Sequence, residues 1–395
     1  MSWKPGDFEL VEEIVKGVHM RKVIRVLSVL LLTFGATVAC AVIDTGTDTG
    51  VDTGVGEKGI ALESSPAFEK GGVPVDMFNV VRAETAKYFA EETILSGGNA
   101  MRHERSGIDL DNQTVIRSNF DLIYSYGVFD ASGGLTVRVP EYDLYQSVQI
   151  FDENHITLSA VYPGEEVTLG PDDITYGEHL YLFMRTQRRT PDAAGTKELN
   201  KRQDAVEIVN ASKKPYVSEV LYDVDSFNLV RQDMLRRVAA GEARSELGFV
   251  ADMNDIVFPH YQLVSIAGWA GQPSTEAFYI LLSGGDDAAR QGECSAFTFA
   301  SPDLRYDRNG YWSITLYSNE GWVATDNFNT NSLKAKPNAD GTYTIHFNCG
   351  AEKVNNLEVV PNWNGLMRLY LPVTVDSAVA FREDLYANHP ITAVD

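Results

Sequence analysis

The sequence lacks the short motifs that mark the common catalytic classes. No His-Glu-x-x-His, Cys-x-x-Cys or glycine-rich phosphate loop occurs in it, and no serine stands in a Gly-x-Ser-x-Gly frame. These are the motifs of zinc proteases, redox dithiols, nucleotide-binding proteins and α/β-hydrolases. Cysteine and histidine are also scarce, with 3 and 7 residues in 395. We therefore predict neither a cofactor nor a metal.

Basic residues are fewer than acidic residues. Lysine and arginine number 33 against 55 aspartates and glutamates, which gives a formal net charge of −22. The acidic residues are spread along the chain, so the whole surface repels phosphate backbones. We predict no nucleic-acid partner. The same charge does not attract the protein to an anionic membrane surface.

The N-terminal region has the three parts of an export signal. A basic start at 21–25 precedes an apolar run at 26–34, and small residues follow up to Cys40. The run is shorter than the about 20 apolar residues of a membrane-spanning helix. Because "TVAC" resembles the lipobox of bacterial lipoproteins, residues 1–40 are interpreted as an extension and lipoprotein-like signal, with Cys40 as the lipidation site. An uncleaved anchor and ordinary signal cleavage are the alternatives.

The segment after Cys40 predicts a flexible acidic tether over residues 41–72. Asp-Thr-Gly recurs at Asp44, Asp48 and Asp52. Such a segment has no apolar face to bury, and its like charges repel one another. A calcium-binding loop is the alternative, but the spacing does not fit a hand-type site. The prediction is an exported protein of the cell envelope, held to a membrane through its lipid.

Alternating polarity dominates the rest of the chain on both sides of a helical middle. Residues 135–139 and 145–151 alternate in the first half, and residues 312–316, 343–347 and 367–373 alternate in the second. Such alternation is typical of antiparallel sandwiches, in which one face of each sheet is dry and the other is wetter.

Apolar residues spaced by 3.6 positions predict helices over 75–95, 196–211 and 223–241. The predicted fold class is therefore mainly β with helical additions (α+β): two jelly-roll-like antiparallel β-sandwich domains joined by a helical segment. The predicted boundaries are 73–212 for the first domain, 213–260 for the helical connector and 261–395 for the second domain.

Both halves resemble known families. Residues 83–211 resemble the domain of unknown function family 1254 through "VIRSNFDLIYS", "VPEYDLYQSVQIFDENH", "FMRTQRRTPD" and "RQDAVEI". Residues 261–372 resemble family 1214 through "GWAGQPSTEAFY", "YWSITLYSNEGW", "DGTYTIHFNCG" and "NNLEVVPNWNGLMRLYLP". The resemblance implies two jelly-roll-like sandwiches. It names no reaction, and a fold alone supplies none.

A polar cluster just ahead of an apolar strand is the first candidate site. It contains Arg117, Asn119, Asp121 and Tyr124. In one interpretation the arginine fork binds a carboxylate and the amide and acid orient it. In the other, Asn119 and Asp121 bond the backbone of a turn that leads into the strand. We favour the second.

Further candidate binding residues are Tyr145 and Arg185 in the first half and Trp363 and Arg368 in the second. An aromatic ring and a guanidinium near a turn suit a carbohydrate or a carboxylate. Packing and hydrogen bonds that lock the turn are the alternative, which we favour.

Two further pairs carry possible chemistry. On a strand, Glu153 and His155 would share a face, but a metal needs further ligands and the other histidines are scattered. Cys294 and Cys349 are a possible disulfide in an oxidising compartment, and free buried thiols are the alternative.

The sequence thus predicts a lipid-anchored envelope protein that binds a small molecule or a protein, or takes part in an assembly. A homo-oligomer is compatible with exposed sandwich edges. The alternative is a hydrolase of small organic or ester substrates, with an unusual polar site in the first domain.

Overall fold

The computed structural model describes residues 61–394 apart from 108, 111, 112 and 114–116. The predicted signal, Cys40 and most of the predicted tether lie outside the described residues. Within the described part of the chain, no helix combines the length and the apolar character needed to cross a membrane.

Helices and strands occupy similar numbers of described residues. The helices are α1 Val80–Ser96, α2 Ala193–Asp204, α3 Val224–Ala239, α4 His260–Ala267, α5 Asp287–Arg290 and α6 Val375–Asn388. The strands of the first half are β1 Phe68–Glu69, β2 Arg102–His103, β3 Leu122–Asp130, β4 Leu135–Arg138, β5 Gln146–Phe151, β6 Thr157–Val161, β7 Glu166–Leu169, β8 His179–Gln187, β9 Glu207–Asn210 and β10 Tyr222–Asp223. Those of the second half are β11 Ala277–Leu282, β12 Ser295–Phe299, β13 Tyr311–Tyr317, β14 Asn329–Asn331, β15 Tyr343–Phe347, β16 Asn356–Leu357, β17 Asn364–Tyr370 and β18 Thr392–Ala393.

The first half folds into a two-layer sandwich. A five-stranded antiparallel sheet, in the order β2-β3-β8-β5-β6, faces a three-stranded sheet in the order β7-β4-β9. Alternate residues of both sheets point between them and are almost fully buried, for example Val137, Ile150 and Leu182. Each side chain of this size contributes about 1.5–3 kcal/mol on burial.

Helices cover part of the outer face of the five-stranded sheet. Phe89 of α1 packs against Tyr181 of β8, with ring centroids 5.5 Å apart. Tyr88 of α1 stacks at 4.1 Å on Trp269, which follows α4. Helices α3 and α4 also pack against each other and against α1. The helical middle of the chain therefore forms a third layer on the first sandwich.

The second half forms another sandwich. Its sheets have the strand orders β11-β17-β13-β14 and β16-β15-β12-β18. Trp312, Ile314 and Met367 from the first of these sheets meet Phe297 and Phe347 from the second, and all are buried. The fold class predicted from alternating polarity is confirmed: an α+β protein built on antiparallel sandwich layers.

Two local predictions need correction. The helix predicted over 196–211 ends at Asp204, and residues 207–210 form strand β9 instead. Val206 and Ile208 pack against the first sandwich core, so burial on a sheet outweighs the helical spacing. The helix predicted over 75–95 begins later, at Val80.

The polar face of β13 is also drier than predicted. Ser313 and Thr315 alternate with core residues, as the pattern indicates, yet both are fully buried. The first sandwich packs over this face. Alternation therefore identifies the two faces correctly, but it cannot show that a second layer covers the polar one.

A disulfide joins the ends of two neighbouring central strands in the second sandwich. Cys294, just before β12, is bonded to Cys349, just after β15, and 55 positions separate them in sequence. Because a cross-link restricts the unfolded chain, it stabilises the folded state. The pairing of Cys294 with Cys349 is one of the two alternatives that the sequence left open.

Replacing both Cys294 and Cys349 with alanine is expected to lower the free energy of unfolding by roughly 2–4 kcal/mol. Urea denaturation with and without reductant measures the change. The reduced wild type should fall to the value of the double variant, and reductant should not affect the variant. A wild type that is indifferent to reductant would contradict the bond.

Candidate functional site at the joint between the sandwiches

The two sandwiches meet at a buried polar surface, which we call the joint. It is formed by residues 117–124 and the neighbouring ends of β5 and β8 in the first sandwich, and by the polar face of β17, β13 and β14 in the second. Three tyrosine rings lie at its centre. Tyr145 packs against Tyr370 at 5.1 Å, and Tyr370 stacks on Tyr311 at 4.5 Å.

Asn119 shapes the turn that leads into β3. Its Oδ1 accepts hydrogen bonds from the backbone N–H of Asp121 at 2.9 Å and Leu122 at 3.3 Å. Its amide nitrogen donates to the Tyr370 hydroxyl at 2.6 Å. This residue therefore closes a local turn, as predicted, and also fastens that turn to the second sandwich.

Asp121 is held across the joint by two amides. Its carboxylate accepts from Asn331 at 2.7 Å and from Asn329 at 3.1 Å. The side chain is buried, with 4% exposed. Both carboxylate oxygens are therefore committed to the second sandwich.

Arg117 lies at the exposed margin of the joint. Its backbone is in the left-handed region, with φ 53°. Its N–H donates to the Gly321 carbonyl at 2.8 Å, and its Nε donates to Asn364 at 3.3 Å. It binds no carboxylate within the described part of the chain, and its own carbonyl accepts from Arg368 at 3.0 Å.

Arg185 and Tyr145 belong to the first sandwich and are fully covered. Arg185 donates to Gln149 at 2.9 Å and to the Ala270 carbonyl at 2.6 Å, and it lies 3.9 Å from the Phe183 ring centroid. The Tyr145 hydroxyl donates to Ser147 at 3.1 Å. Burial raises the pKa of Tyr145, so this phenol remains neutral.

Tyr124 and Arg368 belong to opposite sandwiches, on β3 and β17. Arg368 is buried and donates to Thr315 at 3.2 Å and to Tyr317 at 3.1 Å. Burial raises the pKa of Tyr124 to about 12, and the charges of Arg185 and Arg368 act in the opposite direction. Arg185 is directly opposite Tyr124 in the β3–β8 pairing, and Arg368 reaches the joint from β17.

Trp363 is the candidate that lies elsewhere. Its indole N–H donates to the Ala289 carbonyl at 2.9 Å, and its ring stacks on Phe347 at 4.9 Å. It is buried in the core of the second sandwich. Its role is to lock a turn by packing, the alternative favoured from the sequence.

The sequence reasoning missed several members of the joint, namely Tyr311, Ser313, Tyr317, Asn329, Asn331 and Tyr370. For the members on β13 and β17, the signal was the polar half of the alternation in residues 311–317 and 364–370. Strand register brings Tyr311 opposite Tyr370 and Ser313 opposite Arg368. The contact between a polar face and a particular loop involves residues more than 200 positions apart in sequence. Local periodicity gives no information about such contacts.

A second polar site is a cleft in the first sandwich. It is small and is lined by residues that include Arg82, Glu153, Tyr176, Tyr216 and Glu219. Burial raises the pKa of Glu153 to about 7, and the nearby charge of Glu219 acts in the same direction. Its carboxyl lies against Gly177, where any Cβ would collide with it. The cleft therefore holds a carboxyl group that titrates near neutrality.

His155 does not share this cleft, and it does not lie on a strand with Glu153. Residues 152–155 form a turn, in which His155 has φ 62°. The ring is buried and its Nε2 accepts from the Ala270 N–H at 2.8 Å. Burial lowers the pKa of His155 to about 3, so it is neutral. Among the described residues, no group of three or more histidine, cysteine, aspartate or glutamate side chains is placed to hold a metal.

Residues 276–374 match the family described as a protein of unknown function, DUF1214. This match covers β11 to β17 and supports the resemblance predicted for the second half. The resemblance of residues 83–211 to family 1254 stays a prediction. A comparison with curated proteins finds no match.

Two solved structures are similar to this chain. The VPA0106 protein from Vibrio parahaemolyticus is 16% identical, with a TM-score of 0.58, and the alignment covers 81% of this chain and 98% of that one. An uncharacterized protein from Burkholderia cenocepacia is 13% identical, with a TM-score of 0.40, over 75% and 84% of the two chains. At this identity the first likeness shows a shared fold and no activity.

Replacing Asp121 with alanine is expected to lower the free energy of unfolding by about 2–4 kcal/mol, because the buried Asn331 amide loses its acceptor. Urea denaturation measures the loss. The matched control is Asp326→Ala at an exposed site, which should stay within about 0.5 kcal/mol of wild type. A loss below about 1 kcal/mol for Asp121→Ala would argue against its role as a fastening residue.

Glu153→Gln tests the titrating carboxyl. Its pKa is raised from 4.5 to about 7 in the folded protein, so the folded state holds the proton more tightly than the unfolded state. The contribution of this group to the free energy of unfolding of the wild type is fully present below pH 4.5. It is lost as the pH rises to 7. The variant should therefore gain on the order of 3 kcal/mol relative to wild type above pH 7 and little at pH 4.

The measurement is the free energy of unfolding across that pH range. Glu352→Gln, at an exposed position, is the matched control and should follow the wild-type curve. Parallel curves for wild type and Glu153→Gln would show that Glu153 titrates normally.

Proposed function

We propose that this is an exported, lipid-anchored protein of the cell envelope whose body binds a ligand or a partner without catalysing a reaction. The anchor would be Cys40, and the residues that follow it would hold the body away from the membrane. The lipobox-like sequence, the acidic tether and the paired Cys294 and Cys349 support the location, because disulfides persist in oxidising compartments.

The observation that carries the binding role is that the polar cluster in the joint forms hydrogen bonds within the protein. Asn119 bonds the backbone of its own turn, and Asp121 accepts from two amides. A catalytic acid or base needs an oxygen that can reach a substrate. Here both side chains serve to hold two sandwiches in one arrangement, which suits a preformed binding surface.

A hydrolase remains the second candidate, and one observation favours it. Glu153 lines an open cleft and its pKa of about 7 is suited to proton transfer near neutral pH. Arg82 and Glu219 line the same cleft. In this alternative the reaction centre would be the cleft rather than Asp121.

Fatty-acid labelling tests the anchor. Wild-type cells grown with a labelled fatty acid should give a labelled band that is absent for Cys40→Ala. Cys349→Ala is a matched control, since it removes a cysteine outside the signal. Label of equal strength in all three proteins, or in none of them, would contradict lipidation at Cys40.

A substrate screen separates binding from catalysis. The full chain is assayed against a broad panel of esters, lactones and glycosides. We expect no difference in turnover between wild type and Glu153→Gln. Turnover lost in Glu153→Gln and kept in Glu352→Gln would favour the hydrolase. Turnover lost in Asp121→Ala, with the fold intact, would place the reaction in the joint.

A further inference from the structure

The cleft that contains Glu153 is built from separate segments of the chain. The lining residues include Arg82 from α1, Glu153 from the turn after β5, Tyr176 from the segment before β8, and several members of residues 216–222, which lead into β10. The room inside is on the scale of a single water-sized group. The cleft therefore suits the charged end of a ligand better than a whole organic molecule.

Two carboxyl groups line this room without a cation to balance them. Glu153 is half-buried and Glu219 is exposed. Within the described part of the chain, neither forms an ion pair. The charges that act on Glu153 most strongly are those of Glu219 and Asp152, and both are negative. Partial burial of like charges is unfavourable, so a bound cation would stabilise this arrangement.

Arg82 also lines the cleft, but its guanidinium is used elsewhere. Its Nε donates to Asn154 at 2.6 Å, and its Cζ lies 4.0 Å from the centroid of the Tyr176 ring. With Glu153 ionised, one positive and two negative groups line the cleft. A cationic ligand neutralises the excess, whereas an anionic one adds to it. The charge balance therefore favours a cation.

Phenol rings make up much of the remaining lining, namely those of Tyr176, Tyr216 and Tyr222. The Tyr216 ring packs against Phe89 with centroids 5.2 Å apart, and the Tyr222 ring packs against Phe68 at 5.9 Å. The apolar core thus fixes both rings before a ligand arrives. Aromatic rings attract organic cations, and the guanidinium stacked on Tyr176 shows this attraction within the protein.

The Glu153 carboxyl is held in a fixed position. It lies against Gly177, and the backbone N–H groups of Glu178 and His179 donate to it. A divalent metal needs six or more oxygen ligands. Among the described residues, no group of three or more acidic, histidine or cysteine side chains is placed to supply them. An ammonium group has only three N–H donors to satisfy, which a pair of carboxyl groups can accept.

We propose that the cleft binds the primary ammonium group of an organic amine, with its N–H groups donating to the carboxyl oxygens of Glu153 and Glu219 and its first carbon against the tyrosine rings. The rest of such a ligand would extend into solvent, because the cleft is small and open. The proposal rests on the binding role proposed above, since it names the class of ligand.

The affinity should depend on pH through Glu153, because an ionised carboxylate attracts an ammonium group more strongly than a neutral acid does. Burial raises the pKa of Glu153 to about 7. The ionised fraction of such a group rises from about one tenth at pH 6 to about nine tenths at pH 8. The other charged or titratable groups next to it are Arg82 on α1, Asp152 on the same turn, Tyr176 before β8, His179 on β8, and Tyr216 and Glu219 before β10.

The test is saturation-transfer NMR of methylammonium chloride with the full chain in detergent, which detects weak binding through the methyl signal. Methylammonium, like a lysine side chain, stays protonated up to about pH 10. Saturable binding is expected at pH 8, and it should be about tenfold weaker at pH 6. Tetramethylammonium, which has no N–H donor, should bind more weakly. Potassium chloride at equal concentration should not displace methylammonium.

Glu153→Gln should weaken binding at pH 8 about tenfold, to the level of the wild type at pH 6, and should abolish the pH dependence. Glu219→Gln should weaken binding about two- to fivefold, because this carboxyl is exposed, and should keep the pH dependence. Glu352→Gln, at an exposed position outside the cleft, is the matched control and should change neither. The wild-type pH profile needs no substitution, so the test does not depend on the folding of a variant.

Equal affinity at pH 6 and pH 8, or in wild type and Glu153→Gln, would overturn the proposal. Saturable binding of sodium acetate with the same dependence on Glu153 would overturn the ligand class. Potassium or tetramethylammonium that binds as tightly as methylammonium would overturn it too. The anchor at Cys40 is decided separately by fatty-acid labelling. Ester turnover that depends on Glu153 would overturn the non-catalytic role, while the titration still decides the ammonium site.

Discussion

The structure depends on how two sandwiches bury a polar face against each other. The face carries Arg368, and the opposing sandwich brings Arg185 and Asp121 to the same joint. Buried charges and amides are tolerated only when hydrogen bonds replace those of water. Asn119, Asn329 and Asn331 supply many of these bonds, so the relative position of the two halves is fixed by directional contacts as well as by apolar packing.

The polar groups of the joint differ in how fully protein partners use their hydrogen-bonding capacity. Asn119 and Asp121 have their capacity filled by protein partners. Within the described part of the chain, the hydroxyl of Ser313 lacks a hydrogen-bond partner, and the guanidinium of Arg368 makes three hydrogen bonds and has donors left over. Residues of the first kind hold the two sandwiches together.

Much of the fold was predictable because strand periodicity is local. Trp312, Ile314 and Met367 identified a core face, and the corresponding face of β13 and β17 is buried as expected. The termination of α2 at Asp204 was not predictable, because packing of Ile208 on a sheet decides it. The sequence identified Asn119 and Arg368 as candidates but not their partners. Strand register and long-range packing determine which residues contact each other.

The bonds of the joint link distant parts of the chain, with Asn119 and Tyr370 separated by 251 positions. The first sandwich is therefore complete well before the strand that covers its polar turn has been synthesised. At a synthesis rate of about 5–20 residues per second, that surface would stay open to water for on the order of ten seconds or more. The newly made first half must remain soluble through this interval, and its polar covering face is suited to that.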